Sequence, residues 1–187
     1  DLETLTFASP QEFREWLSRH AASSDGIWLK IAKKGSGLQS VIYQEALDEA
    51  LCVGWIDGQK RPLDDAWWLQ KFTPRRRNSP WSQRNRTRAE QLISEERMQE
   101  AGLQEIDAAK RDGRWERAYA GQSTAEVPPD LAAALAREPK AAAFFDTLSR
   151  GQRYPFIYRL QTLKRPETRA ARVEQYVALL RDHQTLS

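Results

Sequence analysis

The chain has 187 residues, of which 40% are hydrophobic and 29% charged, with a formal net charge of +3. That length builds one core, with room for a helical appendage and none for two unrelated domains, and the proportions are globular, which sets disorder aside. No apolar run approaches the roughly 20 residues of a membrane helix, and the opening residues lack the basic-then-apolar design of a secretory signal. A cytoplasmic protein with no membrane partner is therefore expected.

Leu5-Thr-Phe7 reads as a short strand. Ser9 and Pro10 then supply an N-cap and a proline for the first helical turn, predicting a helix to about His20 with Phe13, Trp16 and Leu17 as its buried stripe. Ile27-Trp-Leu-Lys-Ile-Ala32 is too short for a helix and rich in strand formers. The turn after it, Lys33-Lys-Gly-Ser-Gly37, matches no phosphate-loop pattern. A second helix over residues 43–53 puts Ala46, Leu47, Ala50 and Leu51 on one face, leaves Glu45, Asp48 and Glu49 mostly outside it, and stops at Gly54.

Residues 55–60 and 66–73 read as strands joined by a hairpin connection. Trp67 and Trp68 are adjacent and so point to opposite faces of their strand, which places at least one of them in the core. From Ser82 the pattern is helical, with segments near 82–98, 103–111, 129–137, 139–149, 155–163 and 166–181 separated by glycines and opened by prolines. The last two are predicted to form a helical hairpin, Phe156, Ile157, Leu160 and Leu163 against Val173, Tyr176, Val177 and Leu180. The expected fold class is α+β: a small, mostly antiparallel sheet with helices packed on it, followed by a C-terminal all-helical part. The polar connector at 119–127 divides an α+β domain, residues 1–120, from a helical subdomain, residues 121–187.

Cys52 is the only cysteine and lies in an apolar run, so it reads as a buried hydrophobe rather than a nucleophile. With His20 and His183 as the only histidines, no metal site and no cofactor are expected. Charge is the stronger signal. Residues 66–89 contain no acid, yet hold Lys71, Arg75, Arg76, Arg77, Arg84, Arg86 and Arg88, leaving the rest of the chain mildly acidic. Local basicity of this kind points to an anionic partner.

Three constellations are candidates for a site. In Gly54-Trp-Ile-Asp-Gly58, strand alternation puts Trp55 and Asp57 on one face, offering a carboxylate beside an indole; the plainer reading is a turn at a strand end. In Phe72-Thr-Pro-Arg-Arg-Arg-Asn-Ser-Pro-Trp-Ser82, Arg75, Arg76 and Arg77 present guanidinium forks suited to phosphate or carboxylate, with Trp81 beside them; the plainer reading is a solvated basic loop. Arg169 and Arg172 share a helix face three residues apart, either as a second basic wall or as solvated arginines at a helix start.

These strings resemble the bacterial YdeI/OmpD-associated family, often labelled bacteriocin-protection proteins. The resemblance rests on Tyr43-Gln-Glu-Ala46, Ala50-Leu-Cys-Val-Gly-Trp-Ile-Asp-Gly58, Phe72-Thr-Pro-Arg75, Ser79-Pro-Trp-Ser82, Arg111-Asp-Gly-Arg-Trp115 and Glu167-Thr-Arg-Ala-Ala-Arg172. It implies a stress-linked role in protection against bacteriocins and cationic peptides, and it brings no catalytic mechanism. The expected function is a binder of an anionic ligand (a nucleotide, nucleic acid or phosphorylated metabolite) through Trp55, Asp57, Arg75, Arg76, Arg77, Trp81, Arg169 and Arg172. Two alternatives are an enzyme on a small anionic substrate with Asp57 as acid or base, and an interaction module that docks a partner on the C-terminal helices. No oligomeric state is implied.

Overall fold

A computed structural model describes residues 1–187. In chain order the elements are β1 (Glu3–Leu5), α1 (Pro10–His20), β2 (Ile27–Ala32), α2 (Tyr43–Cys52), β3 (Trp55–Pro62), β4 (Trp67–Pro74), α3 (Gln83–Ser94), α4 (Glu100–Arg111), α5 (Pro129–Ala136), α6 (Pro139–Thr147), α7 (Arg150–Gln161) and α8 (Pro166–Arg181). The fold is α+β, with one four-stranded sheet of order β1-β2-β4-β3 and an all-helical C-terminal part. Only β1 and β2 run parallel; the other two pairings are antiparallel. No helix is long and apolar enough to cross a membrane.

The chain divides into two compact units, Asp1–Ser79 with Asn85–Gly113, and Pro80–Arg84 with Arg114–Ser187. In the first, α1 and α2 cover one face of the sheet. Phe13 of α1 lies 5.9 Å from Phe72 of β4, and Trp16 stands edge-on to Trp55 of β3 at 6.0 Å. Leu17, Ile27, Leu29, Leu47 and Leu51 complete this core, each burying apolar surface worth about 1.5–3 kcal/mol. The β3–β4 hairpin carries an irregularity between Asp57 and Lys60. The buried Gln70 amide satisfies the carbonyls this exposes, donating to Gly58 O at 2.9 Å and Gln59 O at 3.3 Å.

Local chemistry sets the boundaries. Ser9 caps α1 through the Glu12 amide, with Pro10 in the first turn. The first strand closes at Leu5 instead of Phe7, because Phe7 leaves the sheet to pack its ring 5.2 Å from Phe13. Gly54, at φ +78°, ends α2, and a Cβ there would come within 3.0 Å of Ala101 O. Helix α3 stops at Ser94 rather than near residue 98: Glu96 turns to φ +56°, and the amides of Glu96 and Arg97 return to Ile93 O and Leu92 O, a Schellman ending. Helix α7 begins at Arg150, ahead of the expected Pro155, because Ser149 and Gln152 form a capping box.

Two expectations are corrected. Asp48 and Glu49 are buried, at 7% and 3% exposure, because α2 packs against both α1 and α4 and arginines reach in to pair its acids. Neither Trp67 nor Trp68 is fully buried; Trp68 sits at the sheet's end against Tyr43, and Trp67 faces away from the helices.

In the second unit, Pro80–Arg84 is tied in by Tyr119: the Tyr119 amide donates to Trp81 O at 2.9 Å, and Tyr119 O accepts from Gln83 N at 2.9 Å. Helices α5 to α8 share a core of Leu131, Phe145, Phe156, Leu160, Tyr176 and Leu180. Phe156 of α7 meets Tyr176 of α8 edge-on at 5.2 Å, so the stripes expected of these two helices do face each other.

Candidate functional site

Trp55 is a core residue, 1% exposed, and its indole N–H donates to Ala21 O at 3.2 Å. Asp57 follows on the same helix-covered face, half-buried, accepting from the Tyr43 hydroxyl at 2.8 Å and from Asn85 Nδ2 at 3.4 Å. Its carboxylate brackets β3 to the starts of α2 and α3. An acid-base role beside an indole-floored pocket lacks its floor here, because Trp55 is spent on packing against Trp16.

The arginine loop divides. Arg75 is buried, at 7% exposure, with its amide donating to Gly54 O at 3.0 Å. Arg76 and Arg77 are exposed, in a turn closed by Arg76 N to Ser79 Oγ and Ser79 N to Arg76 O, each 2.9 Å. A cavity of about 420 Å³ lies beside this loop, lined by Lys71, Arg75 and Arg76 together with Leu2, Thr73, Pro74 and the single acid Asp25. Lys71, from β4, and the exposed Arg76 thus bring positive charge to this cavity, whereas the Nε and Nη2 atoms of Arg75 are buried.

The other expected residues are engaged elsewhere. Trp81 belongs to the second unit, 2% exposed and edge-on to Trp115 at 4.9 Å. Arg169 forks onto Asp130 at 2.6 and 3.0 Å and donates to Leu160 O at 2.6 Å, pinning the start of α8 to α5 and α7. This guanidinium holds the Asp130 carboxyl below its ordinary range. Arg172 lies over the Tyr176 ring at 6.0 Å. The apolar stripe of α8 that a docking module needs exposed is buried in the helical core.

Part of the acid-free tract is likewise spent internally. Arg88 clamps Asp48 with two contacts of 2.7 Å, and Arg86 pairs with Glu90 at 3.4 Å. Glu49 takes Arg14 at 2.7 and 2.8 Å and Arg97 at 2.9 Å. This cluster borders a larger cavity, about 610 Å³, together with Cys52. Burial, seconded by the charge of Glu49, pushes the Cys52 thiol up to about 11, so it carries no nucleophilic character at neutral pH.

Sequence reasoning missed the outer face of the sheet. The register sets Trp28 opposite Lys71 and Lys30 opposite Leu69, with Arg61 on the other side of Leu69 and Trp67 opposite Ala32. The Arg61 guanidinium lies over the Trp28 ring at 4.3 Å, Lys71 Nζ is 5.8 Å from the same ring, and Lys30 Nζ sits 4.5 Å over Trp67. None of these positions is acidic. Alternation within Ile27–Ala32, with Ile27, Leu29 and Ile31 on one face and Trp28 and Lys30 on the other, already carried the signal.

Comparison with known families divides at the same level. Residues 5–105 match a family described as "Domain of unknown function (DUF8412)", and residues 124–183 match "Bacteriocin-protection, YdeI or OmpD-Associated". Of the strings that carried the resemblance, Glu167–Arg172 lies in the second match, whereas those between Tyr43 and Ser82 lie in the first. No curated protein and no solved structure matches the chain.

Proposed function

The chain belongs to the domain family of unknown function matched over residues 5–105 and carries a YdeI/OmpD-associated, bacteriocin-protection domain at residues 124–183, and from that membership we propose that it is a stress-linked binder of a phosphate-bearing anion. The observation that supports this reading is that Lys71 and Arg76 line one cavity, with Asp25 as the sole acid lining it. The Arg76 guanidinium fork and the Lys71 ammonium at a shared cavity suit phosphate oxygens, and Arg77 follows Arg76 in the loop, exposed. Trp55 and Asp57 support the sheet beneath as packing and bracing groups, while Trp81 and Arg169 brace the second unit.

Isothermal titration with inorganic polyphosphate at rising salt tests the reading. The logarithm of the affinity is expected to fall linearly with the logarithm of the salt concentration, and replacing Lys71, Arg76 and Arg77 by alanine is expected to lower that slope by about one for each phosphate left without its cation. Affinity indifferent to salt, or unchanged in the triple variant, overturns it.

A further inference from the structure

We infer that the outer face of the sheet is a platform for single-stranded nucleic acid, a partner class that rests on the reading above and narrows it. A compact phosphate ligand would need the cavity at Lys71 and Arg76 and nothing more. The structure offers a longer track. Lys71 lines that cavity and also reaches over Trp28; Arg61 covers the same ring from β3; Lys30 covers Trp67 from β2. Cations and indoles therefore alternate from that cavity across the outer face, the one opposite that which α1 and α2 pack against, running from Lys71 past Trp28, Arg61 and Lys30 to Trp67.

The occupant follows from charge and from ring geometry. Trp28, Lys30, Trp67, Leu69, Lys71 and Arg61 share the outer face by register, without an acid among them, so the partner is a polyanion. It must also present flat, unpaired rings. Trp28 is 9% exposed beneath Arg61 and Lys71, so a base reaches it only when those side chains move aside; it lies four residues along β2 from the position opposite Trp67, about 13 Å at the strand rise, so the two indoles meet separate bases. A surface cation–indole contact is weaker than base–indole stacking, so an arriving base displaces Arg61 or Lys30 from its ring and frees that cation for the adjacent phosphate. A duplex hides its base faces in its own stack and gains only the charge contacts.

The test uses the full chain, with fluorescence anisotropy of labelled oligothymidylate and oligouridylate of about 12 nucleotides, a duplex of equal length, inorganic polyphosphate and polyglutamate. The expected result is binding of a single strand at least tenfold tighter than duplex, polyphosphate or polyglutamate, with quenching of tryptophan fluorescence. Trp67→Leu is expected to weaken single-strand binding at least fivefold while leaving polyphosphate binding unchanged, and Arg61→Ala, at an exposed position, is expected to weaken it several-fold, both with unaltered circular dichroism. Polyphosphate bound as tightly as the oligonucleotides, or a single-strand affinity indifferent to both substitutions, overturns the nucleic-acid inference and leaves the anion reading standing. Polyglutamate bound as tightly as the single strands makes the surface a protein-binding one and overturns the inference too. Binding of none of these probes ends both.

Discussion

Arg88 clamps Asp48 with two 2.7 Å contacts from inside residues 66–89, a stretch that has no acid of its own. The side chains are 24% and 10% exposed, so the pair is largely withdrawn from water. What reads along the sequence as uncompensated charge is, at this residue, a cross-link between α3 and α2. Arg76 and Arg77 stand instead in an exposed turn closed through Ser79, and that difference in burial decides which arginines are available to a ligand.

Breaking this pair from one side leaves a buried carboxylate uncompensated, which costs about 3 kcal/mol. Arg88→Ala is therefore expected to lower the urea midpoint of the chain clearly, whereas the double variant Arg88→Met with Asp48→Leu recovers most of the deficit, because no charge is then left buried. Urea titrations of the single and double variants, compared as a cycle, check both halves.

Asp130 gives the helical unit an acid-sensitive contact. Its carboxyl is held below the ordinary value mainly by the hydrogen bonds from Arg169. A depressed folded-state value means that the stabilisation is complete above the unfolded carboxylate's titration near pH ~4 and is lost as pH falls through the folded value. Asp130→Asn is expected to lower stability at pH 7 and to make little difference at pH 2. Urea midpoints of both proteins at the two pH values measure this; an equal deficit at pH 2 contradicts it.

Cys52 is 4% exposed with its thiol pushed up to about 11. At pH 8 about one molecule in a thousand carries the thiolate, against roughly a quarter for an ordinary cysteine. Iodoacetamide labelling followed by mass spectrometry is expected to run at least a hundredfold slower in the folded chain than in urea. Rapid labelling of the folded protein contradicts the burial of this thiol.

Several elements are legible because their causes lie within a few residues. Ser9 and Pro10 fix the start of α1 through one side-chain hydrogen bond and one restricted dihedral, and the shortness of Ile27–Ala32 makes it a strand. Pro155 by itself points to a late start for α7, whereas the stronger local signal is Ser149 with Gln152 three residues on. The candidate site is half legible. Arg75 and Arg76 do line a cavity, but the size that makes Trp55 and Trp81 attractive as ligand contacts is also what a core selects.

The amino-acid sequence by itself determined the α+β class, the cap of α1 at Ser9, the stop at Gly54 and the locally basic character of residues 66–89, since each depends on near neighbours or on periodicity along one segment. Only the tertiary structure decided which of those cations are consumed and which face out. Arg88 finds Asp48 forty residues away, Tyr119 draws Pro80–Arg84 into the second unit, and Lys71 comes opposite Trp28 through the pairing of β4 with β2. Pairing of this kind is a choice among many distant partners, made by packing and strand register together, and no local stretch of sequence carries it.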